Sequence, residues 1–146
     1  MKRTIALLAV LVAAFAMFIP AAYAGPASGC NPDPGTLSDD TIVCNADDAD
    51  GVNTGAGTDS VTISAGTVFD TIRAEGVQVT VVVNGTGALD TTAQETSAIW
   101  MPNGGAIIFE GSLTAGYYGM IIEGDGSVNS TGDITASDYV AIVLMG

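Results

Sequence analysis

The sequence predicts an all-β chain, a right-handed parallel β-helix (solenoid) fragment preceded by a cleavable signal peptide. Three observations carry that expectation. A Gly-x-aliphatic unit recurs at nearly constant spacing, glycine and Asn/Asp clusters break the apolar runs into short pieces, and the first residues have the layout of an export signal.

The opening MKRTIALLAVLVAAFAMFIPAAYA places Lys2 and Arg3 ahead of an apolar run from Ile5 to Ile19, followed by Pro20 and the small-residue site Ala22-Tyr23-Ala24. That order is the charged, apolar and cleavable layout of a secretory signal, and cleavage is expected between Ala24 and Gly25. The run is shorter than the roughly 20 apolar residues a spanning helix needs. Residues 1–24 are therefore set aside as a signal peptide.

Without Lys2 and Arg3, Arg73 is the sole basic side chain against 16 acidic ones, a formal −15. Nucleic-acid affinity comes from Lys and Arg on phosphate, so a nucleic-acid partner is excluded on charge, as is an anionic membrane surface. The field of such a chain favours solubility and attracts cations. Cys30 and Cys44 are the two cysteines, and in an exported chain an even count reads as a disulfide. Its loop contains Pro32, Pro34, Gly35 and Asp39-Asp40, all turn formers, so residues 25–57 are expected to form a pinned N-terminal cap and lead-in.

Residues 58–146 carry the repeat. Gly66-Thr67-Val68, Gly87-Ala88-Leu89, Gly111-Ser112-Leu113 and Gly132-Asp133-Ile134 are separated by 21, 24 and 21 residues. A second aliphatic patch follows at Val77, Ile99, Ile121 and Ile142, and a third at Val83, Ile107 and Val128. In GSLTAGYYGMII and GDITASDYVAIV, the pairs Leu113/Ile134, Thr114/Thr135, Ala115/Ala136, Tyr118/Tyr139 and Ile121/Ile142 align. Periods of this length mark stacked units, none of which buries its apolar face alone. Three strands and three turns per unit give about four coils roughly 4.8 Å apart, with Leu113, Ile121, Ile134 and Ile142 pointing inward. An antiparallel sandwich also has regular turns, but it does not require identical register from unit to unit.

The last unit stops at Gly146, fourteen positions past Gly132, with the apolar stretch Val140 to Met145 uncapped. Solenoids need polar terminal caps, so the coils are expected to be truncated here and the chain to continue.

Chemistry-bearing motifs are sparse. Thr54 to Thr62, TGAGTDSVT, resembles one nonapeptide of a calcium-binding roll, but Ile63 to Thr71 does not repeat it. A glycine turn leading into Ser60-Val61-Thr62-Ile63 is the expected structure. Loose calcium binding by Asn45, Asp47, Asp48, Asp50 and Asp59 is the alternative. Histidine is absent and lysine is lost on cleavage, which removes Ser-His-Asp, Cys-His and Ser-Lys nucleophile systems. Glu110, Glu123, Asp125 and Asp133 leave carboxylate chemistry on polysaccharides as a second alternative. Trp100, Tyr117, Tyr118 and Tyr139 form either a sugar-stacking face or a stiffening ladder. No catalytic, cofactor-binding or metal residue is assigned, and no enzyme activity or cofactor is expected.

The signal, the paired cysteines of CNPDPGTLSDDTIVC, the lead-in DADGVNTGAGTDSVTI and the G-x-I/L-T-A coils together resemble the start of an autotransporter passenger domain. The resemblance implies a bacterial surface protein, exported across the inner and outer membranes and continuing into a C-terminal β-barrel. A structural or adhesive stalk facing a host-surface or glycan ligand is the function it implies.

Overall fold

The structure, a computed structural model, describes residues 29–32 and 34–146. The expected signal peptide, residues 1–24, and its expected cleavage point between Ala24 and Gly25 lie outside the described residues. Among those described, every regular element is a short strand. β1 (Cys30–Asn31) precedes a first coil made of β2 (Thr41–Cys44) and β3 (Val52–Asn53). β4 (Ser60–Ile63), β5 (Gly66–Val68) and β6 (Ile72–Arg73) make the second coil; β7 (Val79–Val83), β8 (Gly87–Thr91) and β9 (Ile99–Met101) make the third. The fourth holds β10 (Gly105–Phe109), β11 (Ser112–Ala115) and β12 (Met120–Glu123), and the fifth β13 (Gly126–Ser130), β14 (Asp133–Ala136) and β15 (Ile142–Met145).

The strands stack into three sheets. Sheet A runs β1-β2-β4-β7-β10-β13, sheet B β14-β11-β8-β5, and sheet C β15-β12-β9-β6-β3. All pairings are parallel except β1 with β2. In the first coil the sheet B position is a single parallel bridge from Asp48 to Val68. The chain is thus a β-solenoid of about five coils.

Inward positions form continuous ladders. Ile42, Val61, Val81, Ile107 and Val128 are in register on sheet A. Sheet B contributes Val68, Leu89, Leu113 and Ile134, and sheet C contributes Ile72, Ile99, Met120 and Ile142. The middle coils bury these side chains completely or nearly so, while Val128, Ile134 and Ile142 are partly buried. Full burial of one such aliphatic stabilises by about 1.5–3 kcal/mol, so the core is a narrow column whose strength depends on each coil having neighbours on both sides.

The glycine of the repeat has a steric reason. A side chain on Gly111 would run into the carbonyl of Gly87, and one on Gly132 into that of Gly111. The corner between sheets A and B therefore closes only where successive coils can touch backbone to backbone, which requires the missing Cβ. This corner holds the pairs Leu113/Ile134, Thr114/Thr135 and Ala115/Ala136 in the register the sequence indicates.

Two strand assignments need correction. Ile121 pairs with Val143 rather than Ile142, and it faces outward between the buried Met120 and Ile122. The turn between β14 and β15 is one residue longer than that between β11 and β12, and a slip of one position moves every side chain to the other face. Val77 lies in a turn and is 62% exposed, the sheet C position of its coil being taken by Ile72. The parallel stack also starts before residue 58, within the segment expected to form a cap and lead-in, with Ile42 and Cys44 already inside.

Cys30 and Cys44 form the disulfide, as register partners of the antiparallel β1-β2 pair. It ties the first turn of chain to the rim of sheet A. Such a bond fits an oxidising compartment outside the cytoplasm.

Candidate binding groove

The turns between sheets B and C differ in length, and that difference makes a site. Three residues, 69–71, separate β5 from β6, and four, 116–119, separate β11 from β12. Seven, 92–98, separate β8 from β9. The extra residues of the 24-residue repeat thus leave the stack as a loop. Thr71 anchors this loop, its hydroxyl 3.0 Å from that of Thr96 and donating to the Ser97 carbonyl at 2.7 Å.

Beside the loop, the outer face of sheet C forms a groove of about 1010 Å³ that crosses the first four coils. Asn53, Arg73, Trp100 and Ile121 succeed one another along its floor because they are in-register outward positions of β3, β6, β9 and β12. Tyr117 and Tyr118 close one end. Tyr118 meets Tyr139 of the next coil at a centroid distance of 5.0 Å, the pairing expected from the sequence, and Tyr117 joins them at 4.8 and 4.2 Å. Asp50, Asp70 and Glu95 add carboxylates from three successive turns.

Polar contacts order this floor. The Arg73 guanidinium carbon stands 5.2 Å from the centre of the Trp100 ring, a cation–π distance, and Nε lies 3.5 Å from a Glu75 carboxylate oxygen. The Trp100 indole N–H donates to Glu123 at 3.1 Å. A hydrogen bond to Tyr139, then the charge of that same phenol, holds the Tyr117 hydroxyl above its ordinary pKa, with smaller contributions from desolvation, Tyr118 and Asp138.

The acidic lead-in has a different use. Asp39 accepts from the Thr58 amide at 2.9 Å, Asp47 from that of Thr67 at 2.8 Å, and Asp59 from that of Asp40 at 2.9 Å. Buried Asp48 accepts from the Cys30 amide at 3.3 Å. Each joins residues about one coil apart, so these carboxylates satisfy backbone donors that irregular coil corners leave over. Asn45 bonds back to Gly29 through its backbone amide, and Asp50 belongs to the groove. Among the described residues, no three His, Cys, Asp or Glu side chains are grouped to hold a metal ion. TGAGTDSVT is a turn into β4, with Gly55 at φ 74° and Gly57 at φ 134°.

Glu110 precedes β11 and Asp133 opens β14, at the corner between sheets A and B, whereas Glu123 ends β12 beside Trp100 and Asp125 follows in the turn between sheets C and A. The carboxylates singled out in the sequence therefore occupy two different corners. Those lining the groove were missed as a set, since Asp50, Asp70 and Glu95 lie at least 20 residues apart; the longer spacing from Gly87 to Gly111 was the available signal.

What the fold and groove define is a β-solenoid with a lateral aromatic and acidic cleft. Comparison with protein-family profiles, curated proteins and solved structures finds no match.

Proposed function

We propose that this chain is a structural and adhesive module of an exported bacterial surface protein, of the autotransporter-passenger type, whose stiff solenoid holds a lateral binding face away from the cell. The observation that carries this reading is the parallel register that continues from coil to coil in all three sheets once β2 is reached. Each coil contacts only its neighbours, so such a rod gains length without a larger core. The disulfide and the signal layout agree with export. The role is one of support and recognition, without catalysis.

The test is expression of the gene with its own leader in a Gram-negative host, followed by protease shaving of intact cells and mass analysis of the released protein. A mature N-terminus at Gly25, an oxidised Cys30–Cys44 pair and cleavage by external protease are the expected results. A chain that keeps residues 1–24 and resists protease until the cells are lysed would refute the reading.

A further inference from the structure

We infer that the sheet C groove binds an extended segment of a partner protein bearing lysine or arginine side chains. The inference goes beyond the surface-stalk reading and does not depend on it.

The groove already holds one such group. Arg73 is the sole basic residue after Arg3, and its guanidinium lies over Trp100 on the groove floor. Glu75 stands beside that charge, so Asp50, Asp70 and Glu95 leave the lining net negative. Aromatic faces flanked by carboxylates suit an ammonium or guanidinium head with an apolar stem, since the ring attracts the cation and the carboxylates accept its hydrogen bonds. The strong negative charge of the whole chain steers cations inward and repels acidic ligands.

Shape favours a strand over a compact ligand. The lining comes from four consecutive coils, a length of about 14 Å at three spacings of about 4.8 Å, enough for roughly four residues of extended chain. Thr96 and Ser97 beside the loop and Asn53 on the floor add neutral polar groups for a peptide backbone. A neutral glycan would use the same rings but would gain little from the carboxylate charges.

The molecule contains its own reporter, because Trp100 is the only tryptophan. The whole chain is titrated with a capped tetrapeptide containing two arginines, its glutamate counterpart and a neutral β-linked trisaccharide, while indole emission is followed. The arginine peptide is expected to change the emission saturably, with Kd below about 1 mM and weaker binding as salt rises. The other two probes are expected to do nothing.

D70N/E95Q should weaken the arginine peptide about fivefold or more. D70N keeps the acceptor that caps the Thr71 amide at 2.6 Å. E110Q/D133N removes the same charge at a distant corner and should change affinity less than about twofold. Thermal unfolding of each variant checks that the fold is intact. Equal weakening by both double variants would reveal charge attraction without a site and overturn the inference. Saturable, salt-insensitive binding of the trisaccharide, or no response to the arginine peptide, would overturn it as well.

Discussion

The outer faces of sheets A and C are unlike, although their inner faces are built alike. On sheet A the outward positions are Thr41, Val43, Ser60, Thr62, Thr80, Val82, Ala106, Ile108, Ser127 and Asn129, without one ionisable group. On sheet C they are Asn53, Arg73, Trp100, Ile121, Glu123, Val143 and Met145, with acidic turns at one side. Inside, stacking demands aliphatic ladders on both. Outside, stacking demands little, so the chemistry of each face answers to what that face meets. In this molecule Arg73, Trp100, Tyr117, Tyr118 and the long loop are gathered beside sheet C.

The largest effect expected from this contrast is between neighbours on one strand. Ile107 is buried in the column, whereas adjacent Ile108 is 41% exposed on the outer face of sheet A. Ile107→Ala should cost about 2–5 kcal/mol, and Ile108→Ala less than about 1 kcal/mol. Urea unfolding of both variants measures the difference. Equal losses would mean that the outer face of sheet A is covered in solution.

Next in size is the disulfide, which braces sheet A and has no counterpart among the described strands of sheet C. Replacing Cys30 and Cys44 together by serine should destabilise by about 3 kcal/mol for a loop of this length. Hydrogen exchange should accelerate in β2 before it does in β9. Faster exchange in β9 first would show that the first coil does not depend on its bond.

A smaller effect tests the outer face of sheet C. Glu123→Gln leaves an acceptor for the Trp100 indole but removes its charge, so a loss of about 0.5–1.5 kcal/mol and a shift in tryptophan emission are expected. On sheet A, Thr80→Ala should stay within about 0.5 kcal/mol. If the two variants unfold alike, the polar order on sheet C contributes nothing to stability.

These contrasts also mark what the sequence could reveal. The corner between sheets A and B was legible because its glycines at 87, 111 and 132 are sterically required and the strands follow at once. Sheet C was legible only in part. The turns before it range from three residues to seven, and turn length leaves no hydrophobic signature, so Ile121 was placed on the wrong face and Val77 in the wrong element. The first coil was obscured because TIVC is short and set among polar residues. Trp100 and the tyrosines stood out by type. Their acidic neighbours did not, because only stacking brings Asp50, Asp70 and Glu95 to one groove.

The smallest effect is a titration on sheet C that sheet A cannot show. A neutral Tyr117 that donates a hydrogen bond to Tyr139 is favoured over its phenolate, and the nearby phenol adds charge repulsion if both ionise. The folded pKa therefore lies above the ordinary value near 10. Since it is raised, the stabilisation is fully present below the unfolded pKa and is lost as pH rises through the folded one. Tyr139→Phe removes the acceptor and the competing charge, so Tyr117 should titrate closer to the ordinary value. Tyrosinate absorbance measures this, with Tyr117→Phe identifying the affected step. The outward residues of sheet A include no titratable group, so exchange rates in β7 and β10, corrected for intrinsic pH dependence, should not follow the same step. If Tyr139→Phe leaves the Tyr117 step in place, contact between adjacent coils is not what holds that phenol protonated, and the aromatic end of the groove is looser than its ring distances imply.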